Sequence, residues 1–134
     1  MAIRWNSVAV RKRVQEAVMR GVVKGTEVVR DEAISLILNT PKTGRIYRRR
    51  SVEHQASAPG EPPASDTGRL VNSIATKYDV NTLSGTVVVD AEYGPYLEFG
   101  TQTIEPRPFL RPALANKRGA LDTFIRDEIT KEFS

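Results

Sequence analysis

The sequence predicts an α+β fold in which a long N-terminal helix and a C-terminal helix pack on a small antiparallel sheet. Three observations predict it. Apolar residues recur at helical spacing over residues 8–39 and again over 111–133, and β-branched residues gather between them in the run Thr86-Val-Val-Val89. The segment 91–114 then holds two of the four Tyr, two of the four Phe and four of the eight Pro. Helix and strand periods are distinct, so the first two patterns separate the classes. The third marks a rigid corner, because aromatic rings bury large apolar areas while Pro fixes φ and removes a backbone donor.

In residues 8–39, Val14, Val18, Val22, Val29, Ala33 and Leu36, with Gly25 on the same stripe, recur three and four apart. Asn6 or Ser7 caps the start, and Thr40-Pro41 ends the helix because a residue before Pro is pushed out of the α region. At roughly 1.5 Å per residue such a helix is about 45 Å long, so part of it is expected to pack on something beyond its own core. Gly21 and Gly25 each cost about 1 kcal/mol relative to Ala in a helix. Close approach of another backbone and incidental small residues explain them equally well.

Residues 41–66 have neither period and are rich in Pro, Gly, Ser and Ala, which predicts an extended loop. About 26 residues is far beyond the usual 4 to 6, so the loop is expected to be functional or to be ordered by a partner. A short helix follows over 67–75, capped by Asp66 or Thr67, with Leu70, Val71 and Ile74 inward. Sheet is expected over 76–104, with strands at 75–80 and 85–91 about the turn 81–85. Residues 96–101 add a third strand or a helical turn. The last helix, 111–133, turns Leu114, Leu121, Ile125 and Ile129 inward with Phe124 beside them, and Pro112 suits its first turn.

With 134 residues and 40% hydrophobic content, the chain is expected to form one globular unit over 1–134 without disulfides. No run approaches the roughly 18 apolar residues of a membrane span. Arg4 between Ile3 and Trp5 breaks any apolar leader, so neither secretion by a classical signal nor a membrane partner is expected. Zero Cys excludes thiolate catalysis and Cys-based zinc sites and fits a reducing cytoplasm. The net charge is uneven: residues 1–60 carry 12 Lys or Arg against 5 Asp or Glu, hence +7, whereas 61–134 carry 8 against 11, hence −3. Opposed halves suit head-to-tail association or docking of the basic half on an acidic partner.

Catalysis finds little support. His54 is the only His and falls in the loop, and no nucleophile elbow, phosphate loop or His-Glu-x-x-His motif is present. Glu92, Glu98 and Glu105 read as a solvated sheet edge or as partners of Arg107 and Arg111. No enzyme activity, cofactor or metal is expected. The run Arg45, Arg48, Arg49, Arg50 with Tyr47 inside it can neutralise phosphates and stack on a base. That leaves a small basic DNA-binding protein touching the phosphate backbone as an alternative, although no DNA-reading motif accompanies the run.

Two stretches in a fixed order carry a family resemblance. They are His54-Gln-Ala-Ser-Ala-Pro-Gly-Glu-Pro-Pro-Ala-Ser-Asp-Thr-Gly-Arg-Leu-Val-Asn-Ser-Ile74, and Tyr93-Gly-Pro-Tyr-Leu-Glu-Phe-Gly-Thr101 followed by Arg107-Pro-Phe-Leu-Arg-Pro-Ala-Leu114. Together they resemble the neck and tail-completion proteins of long-tailed bacteriophages and prophages. The resemblance implies a structural virion protein of the head-to-tail junction, with no catalytic residues, that forms a homo-oligomeric ring of six or twelve copies. The ring would lie between the connector or head-closure protein and the tail-terminator or tail-tube protein, in the virion neck, after assembly in the host cytoplasm. On this basis Arg45, Tyr47, Arg48, Arg49 and Arg50 are expected to contact an adjacent ring or DNA in the channel. Tyr93, Tyr96, Glu98, Phe99, Gly100, Thr101, Arg107, Pro108 and Phe109 are expected to form a structural corner and interface. Arg48-Arg49-Arg50 is more basic than the family pattern there.

Overall fold

The computed structural model describes residues 6–49, 51–64, 68–103 and 105–134. Its architecture is α+β. Helix α1, Ser7–Asn39, starts where the Asn6 side chain accepts hydrogen bonds from Val8 N and Ala9 N at 3.1 Å each. It stops at Thr40, whose extended φ −74, ψ 128 is what Pro41 demands. Lys42 Nζ then donates to Leu36 O at 3.1 Å, covering a carbonyl of the last turn. Burial pushes the Lys42 ammonium below its ordinary pKa.

Two hairpins follow. Strands β1, Ile46–Arg49, and β2, Val52–Gln55, pair antiparallel from Ile46↔Gln55 to Arg49↔Val52. Helix α2, Arg69–Asn72, leads to β3, Ile74–Asp79, and β4, Ser84–Val89, paired from Ile74↔Val89 to Asp79↔Ser84. Helix α3, Gly94–Phe99, and helix α4, Leu110–Glu132, complete the described structure.

Helices α1 and α4 pack against each other because small residues line the seam. Ala17, Gly21, Gly25, Thr26, Val29, Ala33 and Ile37 are the buried positions of α1. A Cβ on Gly21 would lie 2.6 Å from Ile125 Cα, and one on Gly25 would collide with the Leu121 side chain. The glycine pair is therefore a close-approach device, and it draws the buried line one position away from Val14, Val18, Val22 and Leu36, which are half-buried beside it. The β3–β4 hairpin lies on the same helix. Gly85 meets Thr26 where a side chain would not fit, Arg30 Nε donates to Ile74 O at 3.1 Å, and Tyr78 Oη donates to Glu27 Oε1 at 2.6 Å. The core gathers Val29, Ala33, Ile37, Leu70, Ile74, Ala91, Phe109 and Ala113, where the C-terminal half of α1 meets β3 and the start of α4.

Five expectations need correction. The stretch 41–66 is not an open loop but carries the β1–β2 hairpin. Its period of two is hidden because its described side chains are polar or exposed, with Ile46 itself 61% exposed. The sheet is two separate two-stranded hairpins rather than one. The sheet region ends at Val89 rather than near 104, and residues 94–99 form the helical alternative, opened by Pro95. The short helix spans four residues only, since Ile74 already opens β3, and its N-cap is Gly68 with φ 75. The proposed caps Asp66 and Thr67 lie outside the described residues. In α4, Leu114 is half exposed while Ala113 takes the inward place beside it.

Candidate assembly interface

Helix α4 has no capping side chain at its own N-cap, Phe109. A helix start leaves several N–H groups without partners, so a buried start needs an acceptor from elsewhere. Glu98 of α3 supplies it: Oε2 accepts from Phe109 N at 2.8 Å and Leu110 N at 2.9 Å, and Oε1 accepts from Arg111 N at 2.8 Å. The carboxylate also faces the positive end of the helix dipole. At 5% exposure Glu98 is not on a solvated sheet edge, and it meets Arg111 through the backbone N–H rather than the guanidinium. Those arginines are engaged elsewhere: the Arg111 guanidinium sits 4.5 Å over the Phe99 ring, and Arg107 Nε donates to Ser57 O at 3.2 Å.

Two backbone bonds close the corner. Gly100, at φ 75, donates its N–H to Tyr96 O at 2.9 Å, and Arg107 N donates to Leu97 O. The positive φ is why residue 100 is Gly. Thr101 is exposed and Pro108 half-buried. Phe109 is fully enclosed, so it belongs to the core and offers no surface. Tyr93, Tyr96 and Phe99 do not edge a sheet; Tyr93 is the N-cap of α3 and the other two stand on it, exposed by 37%, 56% and 61%. A cleft of about 460 Å³ beside Phe99 is lined by Pro106, Pro108, Arg111, Pro112 and Ala115.

The Ala58-Pro-Gly-Glu-Pro-Pro63 stretch folds onto this corner. Gly60 N donates to Pro106 O at 2.9 Å. Glu61 pins the stretch at its other side, accepting from Thr43 N at 3.0 Å, Ala58 N at 2.8 Å and the Thr43 hydroxyl. These bonds, the hydroxyl first, hold the Glu61 carboxyl below its ordinary pKa. The two stretches that carry the resemblance are thus in direct contact. Between them lies a cavity of about 310 Å³ lined by Tyr47, Pro63, Tyr93, Leu97 and Arg107 among others.

The basic cluster sits on the hairpin. Arg45, Tyr47 and Arg48 are exposed; Arg50 lies outside the described residues, as does the Arg49 side chain. Tyr47 stacks on His54 across the ladder at 5.6 Å between centroids. Arg48 reaches Glu53 at 3.6 Å, but both side chains are about 70% exposed, so the pair adds little. Among the described side chains of this cluster, Tyr47 reaches the cavity shared with the corner.

A family model described as "Bacteriophage HK97-gp10, putative tail-component" matches residues 6–100. The chain belongs to this HK97-gp10-like family. No curated protein and no solved structure matches it. The family match runs from the α1 cap to the Gly100 turn and takes in both hairpins and α3; the Arg107–Leu114 part of the corner lies beyond it.

One constellation of this HK97-gp10-like chain escaped the sequence. Along the α1–α4 seam, Arg13 Nε meets Glu132 at 2.9 Å, Arg20 meets Glu128 at 3.0 Å and Glu132 at 2.9 Å, and Lys24 Nζ meets Glu128. The pKa of the Glu128 carboxyl, buried in the seam, is held down to about 2 by the Lys24 hydrogen bond first and then by Arg20. Glu128 and Glu132 lie four apart and so share a helix face, which is the signal that could have found them. Acidic groups counted as available to a neighbouring subunit are here engaged within the chain. Among the described residues no group of three or more His, Cys, Asp or Glu could hold a metal ion, and no helix is long and apolar enough to cross a membrane.

Proposed function

We propose that this phage tail-component protein is a structural subunit of the head-to-tail junction, a neck or tail-completion protein that forms a ring of six or twelve copies between connector and tail tube. It would reside in the virion after assembly in the host cytoplasm, with virion proteins and further copies of itself as partners. The observation that carries this reading is the mounting of Tyr96 and Phe99. Both rings are more than half exposed, yet their helix is fixed to the core through Glu98 and the Gly100 turn. Rigid exposed aromatics lose little entropy when a partner covers them, and Arg stacked on an aromatic is a common interface anchor. The side chains on offer suit binding rather than bond-breaking.

The test is Tyr96→Ser combined with Phe99→Ser. The expected outcome is a monomer with unchanged melting temperature that is missing from purified particles, with the neck ring absent by electron microscopy. Normal incorporation of the double variant would sink the assignment of this surface. The DNA-binding alternative draws on the exposed hairpin arginines. It predicts duplex affinity that falls steeply with added salt, and no such affinity is expected of a ring subunit in isolation.

A further inference from the structure

Strand β4 has an open edge. Asp90 N donates to Ser73 O at 3.0 Å, one step beyond the Ile74↔Val89 pair, which sets a bonded position there. Bonded pairs alternate in an antiparallel ladder, which turns the N–H and C=O of Val89, Val87 and Gly85 away from β3. On β3, by contrast, the outward Ile74 O is taken by Arg30 of α1, and Glu27 of α1 accepts from the side-chain hydroxyls of Thr76 and Tyr78 on the same strand. No described strand pairs with the β4 edge. Two clefts of about 270 and 230 Å³ run beside it and share Leu110, and their walls include Val87, Val89, Leu114 and Phe99. Leu114 is 50% exposed and Phe99 61%, so the floor beside this edge is apolar and uncovered.

The β1–β2 hairpin has the matching features. Ala56 N donates to Arg45 O at 2.9 Å, so the same alternation turns the backbone of Ile46 and Arg48 outward from β1. Ile46 on that strand is 61% exposed. The hairpin is basic through Arg45, Arg48, Arg49 and Arg50, whereas β4 runs out into the exposed acids Asp90 and Glu92. We infer that the β1 edge of one copy adds to the β4 edge of the next, parallel to it, with Ile46 beside Val87 and Arg48 toward Asp90 and Glu92. The parallel direction follows from charge, since the antiparallel one would carry Arg48 away from the acids.

This inference rests on the ring reading and gives it a contact. An unpaired edge over an apolar floor is a ready template for strand addition. The two surfaces differ, and the hairpin and β4 of one chain belong to separate sheets, so the contact is head-to-tail, the kind that a ring requires. The added strand is short, which suits a subunit that stays apart until neighbours are assembled around it.

The chain has no Cys, so thiol crosslinking has no background. Particles assembled with the double variant Ile46→Cys, Val87→Cys are treated with a short bis-maleimide and run on a denaturing gel. The expected result is a ladder of multiples of the chain up to the ring number, with each single variant giving monomer only. The second arm is Val87→Pro. The lost N–H points away from the β3–β4 ladder, so the fold should survive, while incorporation into particles should fall at least about tenfold. Rings visible by electron microscopy without a crosslink ladder overturn the hairpin-to-β4 contact and leave the ring standing, as does normal incorporation of folded Val87→Pro. Particles with no ring of this protein overturn the ring reading, and the contact falls with it.

Discussion

The two ends of α4 are held by different physics. At its start, Glu98 is 5% exposed and takes backbone N–H groups at 2.8 to 2.9 Å, directly above the enclosed Phe109. Toward its end, Glu128 and Glu132 bind Arg13, Arg20 and Lys24, whose side chains are 45% to 51% exposed. The first end is a buried, short-range anchor, which salt barely reaches. The second is a surface ladder that salt and acid can loosen. The difference matters because the anchored end carries the exposed aromatics, so the proposed interface is tied to the part of the molecule least sensitive to solution conditions.

The largest expected effect comes from removing the core residue under the anchor. Phe109→Ala should cost about 3 to 5 kcal/mol, read by denaturant unfolding, because a fully enclosed ring leaves a cavity that the corner cannot fill. A loss near zero would mean that Phe109 is not core and would break the contrast. Next is Glu98→Ala, which strands N–H donors at the α4 start and should cost about 2 to 3 kcal/mol. That loss should be the same at low and high salt; a loss that shrinks with salt would make the anchor another surface charge effect.

Between the two ends, the glycine seam gives a smaller change of defined sign. Gly21→Val should destabilise by about 1 to 3 kcal/mol despite the better helix propensity of Val, since its Cβ would meet the Ile125 backbone. Gly119→Ala in α4 faces open space and should stabilise by roughly 0.5 to 1 kcal/mol. Chemical unfolding of both variants checks the pair. Equal signs would mean that the helices are not in close approach at Gly21.

The long helices were legible because their apolar residues repeat over many turns, and Asn6 and Thr40-Pro41 mark the ends of α1 by local chemistry alone. The β3–β4 hairpin was legible from Thr86-Val-Val-Val89. The first hairpin was not, because strand pairing between Tyr47, Arg48 and Glu53 leaves no buried face to imprint an alternation. Glu61 was missed, and Glu98 was placed in the corner without its capping role, for a related reason. Each acts by accepting backbone N–H bonds, and any residue can donate those, so no partner pattern appears in the sequence. The α1–α4 ladder depends on which helix faces meet, which the glycine pair hinted at without naming the partner. The corner was found as a dense run of aromatics and prolines, although its rings stand on a helix instead of a sheet.

The smallest effect near neutral pH should come from the surface ladder, and its signature lies in pH and salt. The Glu128 carboxyl is held at about 2 against an ordinary 4.5, first by Lys24 and then by Arg20. Glu132 is lowered too, by Arg13 and then Arg20. A folded pKa below the unfolded one means that the stabilisation is complete above about 4.5 and is lost as pH falls toward about 2. Melting temperature recorded across that window should therefore fall more steeply for the parent chain than for Glu128→Gln, which has no such carboxylate to protonate. At neutral pH the difference between the two should be small and should narrow further with added salt, because the basic partners are half exposed. Parallel acid profiles for the two chains would show that the ladder does not hold the end of α4, and the contrast between its two ends would then rest on Glu98 alone.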